Sequence, residues 1–267
     1  MERLRTVIAA MAALACGTLL AQPPEASAPA TAAAATAPAR PSDPAFLALA
    51  AKADQVESVH AVGSLTLSRA TQPATQPAES VDFEVWARPP RSRQQAAIGE
   101  TRVSDGQHIY ALRRAGEGYE GRRRQLRPDN FYHALDRSAI FVDALNGYRN
   151  LLSGARFASA QPEPGFGPDL KWFVLEPSAR PPHHIFWGCK SVKIALGPDG
   201  LPRVLIGRLL PEKPGQAESV VTIVTPKIEA NTVKDADLLL PPAAAGAAWT
   251  DADDKQPVTV PKELVGG

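Results

Sequence analysis

Few side chains in this sequence have the type and spacing that chemistry needs. His183-His184, preceded by Pro181 and Pro182, offers two imidazoles to a metal ion, but adjacent histidines rarely converge on one ion and no carboxylate lies near in sequence. A zinc site asks for three or four converging ligands, so the pair reads as part of a solvated loop and no metal site is expected. Cys189 has a basic neighbour in Lys190 that could lower its pKa, and the other cysteine is Cys16, near the start of the chain. A buried, structural thiol is the better reading of Cys189. Arg113 and Arg114 on one side of a Gly-rich turn, and Arg122, Arg123, Arg124 and Arg127 on the other, form two basic clusters. They could meet anionic lipid headgroups or a partner membrane, or be a solvated strand edge, and both readings stay open. No nucleophile with a base and an oxyanion-stabilising partner is visible, and no cofactor motif. The chain is therefore read as a non-enzyme without a cofactor.

Composition narrows the class further. With 29 Lys and Arg against 28 Asp and Glu, the chain lacks the basic excess that phosphate contacts demand, so no nucleic-acid partner is expected. Proline is the anomaly, at 26 of 267 residues against a usual ~5%. Met1 to Arg5 is basic, Thr6 to Ala15 is an apolar run too short for a spanning helix, and small residues follow. That pattern is a secretory signal peptide over residues 1–21, with Ala21 and Ala28 both candidate last residues. Ala13-Leu14-Ala15-Cys16-Gly17 is a poor lipobox, yet it keeps open an anchor through lipidated Cys16. Residues 22–42 are Ala and Pro with few large side chains and read as a disordered tether, and residues 243–267 read as a flexible tail. Residues 43–242 then form one domain.

Periodicity supplies the elements of that domain. Asp43-Pro44 is a helix start, and Phe46, Leu49, Ala50, Ala53 and Val56 fall on one face of about four turns. Strand-like alternation follows at Val59 to Leu67, Val81 to Ala87, Gln94 to Ile98, Glu100 to Ser104, Gln107 to Arg113 and Tyr119 to Leu126. Asp129 to Leu135 and Ser138 to Leu152 change to helical spacing, and Gly154 ends them. Strands return at Leu170 to Glu176, Ser191 to Leu196, Arg203 to Leu209 and Ser219 to Glu229, with Gly197-Pro198-Asp199-Gly200 as a turn. Short turns between many strands predict an α+β fold built on a curved antiparallel sheet.

Several of these segments, in this order, resemble a known family. Val56-Glu57-Ser58-Val59-His60-Ala61, Val85-Trp86-Ala87-Arg88-Pro89 and Val103-Ser104-Asp105-Gly106-Gln107 with Ile109 and Tyr110 are similar to the LolA-type periplasmic carriers of outer-membrane lipoproteins. Trp172 to Glu176, Val192 to Gly200 and Asn231 to Pro242 continue the likeness as a Leu-rich strand, a strand-turn-strand hairpin and a final Pro-Pro strand. The resemblance implies a half-open β-barrel with an N-terminal helix and a helical lid insertion, holding acyl chains on its concave side. It implies that Arg88 closes the lid and that Trp86, Ile109 and Tyr110 face the cavity. Phe141, Leu145, Tyr148 and Leu152 could line the lid or simply pack a core, and for a helix over a cavity the two readings coincide. The family carries a large apolar residue shortly after Arg-Pro, whereas this chain has Pro90, Arg91, Ser92 and Arg93.

The function expected from this reading is an exported, monomeric lipoprotein or lipid carrier in the periplasm, acting in outer-membrane lipoprotein sorting with a transfer partner at the inner or outer membrane. Two alternatives stay beside it. One is a regulatory or sensor module of the same fold, and the other is a LolB-like acceptor anchored through Cys16. A free acyl chain in water costs about 0.8 kcal/mol per exposed methylene, so any carrier needs a long apolar cavity.

Overall fold

The computed structural model describes residues 42–69, 78–97, 99–126, 137–148, 155–177, 189–209 and 217–267. Cys16, Arg127, Leu152, His183, His184 and, up to residue 41, the segments read as signal and tether lie outside the described residues.

Helix α1 (Pro44–Ala53) starts where the sequence sets it. The Asp43 carboxylate accepts from the Ala45 N–H at 2.8 Å, Pro44 occupies the first turn, and Phe46, Leu49, Ala50 and Ala53 are buried. It is shorter than the four turns expected: Asp54 caps it and Val56 lies beyond its end.

Among the described residues twelve strands follow: β1 (Val59–Arg69), β2 (Glu79–Arg88), β3 (Arg91–Ala96), β4 (Glu100–Ser104), β5 (His108–Ala115), β6 (Gly118–Gln125), β7 (Ala155–Ser159), β8 (Lys171–Pro177), β9 (Cys189–Leu196), β10 (Pro202–Leu209), β11 (Ser219–Ala230) and β12 (Ala248–Asp251). Helix α2 (Arg137–Leu145) lies between β6 and β7 in sequence. The strands form one sheet in the order β12-β6-β5-β4-β3-β2-β1-β11-β10-β9-β8-β7. Its two ends do not pair with each other, so this is one curved, unclosed sheet. Every neighbouring pair is antiparallel except β12 with β6, which is parallel, so the sheet is not wholly antiparallel as expected.

The main buried sides of the sheet are opposite in its two halves, and at β8–β10 both sides are covered, since Trp172, Ala195 and Val204 form a small buried cluster on the side away from α2. Along β2, β1, β11, β10, β9 and β8, the registered residues Val85, Ala61, Leu65, Ile223, Leu205, Ile194 and Phe173 are buried on one side, where α2 packs against β2, β3 and β10. Along β4, β5 and β6 the buried residues are Val103, Tyr110, Leu112 and Gly121, which lie on the other side. Strand β3, Arg-Ser-Arg-Gln-Gln-Ala, stands between the two halves and presents Ser92 and Gln94 to the helix side as buried polar residues.

What covers the second half is the segment read as a flexible tail. Leu240, Ala244, Trp249, Val260 and Leu264 join Val103, Tyr110 and Leu112 in a buried cluster, and β12 runs beside β6. The Trp249 indole N–H donates to the Ala244 carbonyl at 3.0 Å. The tail expectation is corrected because sparse apolar residues still anchor a segment when a partly covered sheet face awaits them. Asn231 to Pro242 is likewise no strand: it contains the 3-10 turn Asp235–Leu238, and Leu240 meets Val265 in an isolated bridge.

Candidate functional site

Beneath α2 the described residues form apolar ground on one side of the sheet. Alternation along β10 and β11 aims Leu205 and Ile223 at the helix, and helical spacing on α2 aims Ile140 and Phe141 back at them. All four are nearly fully buried, with Val142 and Leu145 beside them. Between these side chains and Pro202, Arg203, Val204 and Thr225 lies a slot with a cavity volume of ≈ 10 Å³. That is room for about one water and none for a chain of methylenes while α2 is in place. Ser138 at the start of α2 donates to Gln94 Oε1 of β3 at 3.1 Å.

The end of α2 is held by an aromatic cluster. Phe46 of α1 stacks on Phe157 of β7 with centroids 4.0 Å apart, meets Phe173 edge-on at 5.2 Å and lies 5.2 Å from Tyr148. The Tyr148 hydroxyl donates to the Gly200 carbonyl at 2.9 Å. Complete burial, and then the charges of Asp143 and Asp199, push the Tyr148 phenol well above its ordinary pKa. Its backbone is left-handed at φ 58°, a conformation that a bulky residue keeps only when packing dictates it. Gly200, at φ +80°, allows the close approach: a Cβ there would sit 2.0 Å from the Leu49 carbonyl oxygen of α1.

The residues singled out from sequence divide between two sides of the sheet. Phe141, Leu145 and Tyr148 come together on the helix side, all buried. Ile109 shares the register of that side on β5 and is half-buried. Tyr110 lies on the other side, buried against Trp249 at 6.0 Å. Trp86 and Arg88 also face away from α2, because Phe83, Val85 and Ala87 fill the helix side of β2. Trp86 is stacked between His60, with centroids 5.1 Å apart, and the Arg93 guanidinium at 4.8 Å. The two ring nitrogens of His60 lie 2.6 Å from Glu84 Oε1 and 3.0 Å from Glu229 Oε2. Arg88 pairs with Asp235, which also takes Arg91 at 3.4 Å. The partner of Arg88 thus belongs to the C-terminal segment and not to α2.

Burial raises the Cys189 thiol to about 11, so it stays protonated at neutral pH. Among the described residues no group of three His, Cys, Asp or Glu is set to hold a metal ion. No helix among them is long and apolar enough to cross a membrane.

Periodicity alone did not find Phe157 and Leu205, although both border the helix ground. Phe157 stands on a five-residue strand with a single large apolar side chain, too short to show alternation. Leu205 stands in a strand that alternation predicts, but nothing local says that its side of the strand meets α2.

The path of this chain has counterparts among solved structures. A solved LolA superfamily protein is similar to it. That protein, from Nitrosomonas europaea, is 11% identical, with 72% of this chain and 96% of the other covered and a TM-score of 0.36. A DUF1329 family protein from Desulfovibrio piger gives 11% identity, coverage of 72% and 95%, and a TM-score of 0.36. The Pseudomonas aeruginosa MucA/MucB complex gives 18% identity, coverage of 71% and 57%, and a TM-score of 0.35. No protein-family model and no curated protein matches this chain. At 11–18% identity the likeness concerns the path of the chain alone.

Proposed function

We propose that this protein is an exported, periplasmic binding protein that holds the acyl chains of a lipoprotein or lipid between α2 and the apolar side of its unclosed sheet. The observation that carries this reading is the pairing of Ile140 and Phe141 with Leu205 and Ile223 around a slot of ≈ 10 Å³. Helix α2 thereby occupies apolar ground that an acyl chain would take when the helix lifts. Each methylene moved there from water is worth about 0.8 kcal/mol, so a chain of ordinary length could displace the few apolar side chains of one short helix. In this reading α2 is the lid, and the hydrogen bond from Tyr148 to Gly200 restrains its end. Arg88 is no part of the latch.

The near-closed slot also favours a second reading, a regulatory envelope module that engages a protein and carries no cargo. One experiment separates the two. The mature chain is purified from the cells that make it, its organic extract is analysed by mass spectrometry, and the native complex is weighed. Acylated molecules at about one per chain support carriage. A co-purifying protein with no acyl species would replace carriage by regulation.

A further inference from the structure

The hairpin of β5 and β6 extends past both of its neighbours. Pairing of β4 with β5 stops at Glu100 and Arg113, and pairing of β12 with β6 begins at Ala248 and Glu120. Residues 114–119 therefore stand clear of the sheet on either side, and residues 113–119 are all exposed. Nothing lies within 4 Å of where a side chain at Gly116 would be. Tyr119, on this free end, is 42% exposed, and Leu47 on α1 is the other large apolar side chain so exposed among the described residues.

Charge on the hairpin is not all neutralised. Arg113 pairs with Glu120, Arg123 with Asp251 at 2.8 Å, and Arg124 reaches Asp253 at 4.0 Å. Arg114, directly across from Tyr119, and Arg122, across from Ala111 on the opposite face of the hairpin, have no acidic partner among the described residues. Glu117 is the one acid at the turn itself.

We propose that this hairpin end docks on the anionic surface of a membrane, with Tyr119 in the headgroup layer and Arg114 and Arg122 on lipid phosphates. A tyrosine has an apolar ring and a polar tip, which suits the boundary between headgroups and water. Arginine meets phosphate through a planar fork of donors. The shape chooses the membrane over an acidic polypeptide. A narrow projecting tip has no groove in which to lay an extended chain, but it sinks into a soft headgroup layer without clashes elsewhere. This inference is independent of the carrier reading, since it uses none of the ground beneath α2.

The test compares the full chain with the triple variant Arg114→Gln/Tyr119→Ser/Arg122→Gln by vesicle flotation. Vesicles of phosphatidylcholine are used with and without phosphatidylglycerol. The quantity read is each protein's binding to the anionic vesicles relative to the neutral ones, which cancels any contribution of the N-terminal apolar segment. Each arginine is expected to supply roughly a fivefold preference, so the variant loses at least about tenfold of it. The preference of the unaltered protein falls at high salt, where these charges are screened. Equal preferences in the two proteins overturn the proposal. So does binding of soluble polyglutamate as tight as that to the anionic vesicles, which would make the tip a reader of acidic chains. All three positions are exposed or solvent-facing, and the unfolding midpoint checks that the variant is folded. If that midpoint drops, the single Arg114→Gln variant, with a roughly fivefold loss expected, decides the matter.

Discussion

The indole of Trp249 lies against Gly121 so closely that a Cβ at that position would fall 2.2 Å from the ring. The two residues are direct neighbours in the parallel pairing of β12 with β6. This contact seats residues 240–264 on the sheet, where Trp249, Leu240 and Leu264 join the cluster around Tyr110.

Gly121→Ala is therefore expected to unseat the segment. Overpacking of this kind costs about 1–3 kcal/mol, while Trp249→Ala costs about 3–5 kcal/mol. Because both substitutions act on one contact, the double variant should be little worse than Trp249→Ala alone. Urea unfolding midpoints of the two single variants and the double variant check this. Full additivity would mean that the contact does not hold the segment.

Tyr148→Phe removes the donor to the buried Gly200 carbonyl, at an expected cost of about 1–3 kcal/mol. Amide hydrogen exchange should quicken in α2 and stay unchanged in β12, which lies in the other cluster. The phenol's raised pKa also has a sign. The unfolded chain ionises this tyrosine at its ordinary 10.0 and the folded one only well above it. The stability tied to it is complete below pH 10 and is lost as pH rises beyond. The Phe variant should show a shallower alkaline loss.

Acid should loosen the C-terminal segment through Asp251. Its carboxylate accepts the Asp253 N–H at 2.9 Å and two Arg123 donors at 3.2 and 2.8 Å, and these hydrogen bonds lower its pKa below the ordinary 3.8. A depressed pKa contributes stability that is present above pH 3.8 and lost as pH falls through the lower folded value. Hydrogen exchange over residues 248–251 should rise across that range. Asp251→Asn should flatten the rise, and an unchanged profile would show that other carboxylates carry it.

Arg88→Leu should change little. The pair it breaks is with Asp235, a residue whose side chain is 74% exposed, and such surface pairs contribute about 0–1 kcal/mol. Thermal midpoints should shift only slightly, and the affinity and release rate of a fluorescent fatty acid should be unaltered. A changed release rate would restore Arg88 to the lid.

Local chemistry made much of the fold legible. Glu100 to Ser104 is strand β4 residue for residue, since its alternation is clean and Gly99 and the Asp105-Gly106 turn bound it. Asp43-Pro44 marks the start of α1 because a cap acts within two residues of itself. Strand β7 was missed for want of length. Strand β12, Ala-Trp-Thr-Asp, shows no alternation because it holds one large apolar side chain, and the sheet residues that help to bury it, Val103, Tyr110 and Leu112, lie more than a hundred positions away.

The candidate site shows the same division. Period two says that Trp86 and Arg88 share one side of β2 and that Phe83, Val85 and Ala87 share the other. It does not say which side a helix will cover. By itself the sequence determined the order of the elements, their turns, and which residues stand together on each strand. Only the tertiary structure decided which side is covered in each half: α2 lies over one side of β2 and β10, and residues 240–264 lie over the opposite side of β4, β5 and β6. The physical reason is that alternation is set by each residue's nearest neighbours along the chain, whereas the covering of a face depends on where a distant apolar segment finds water to exclude.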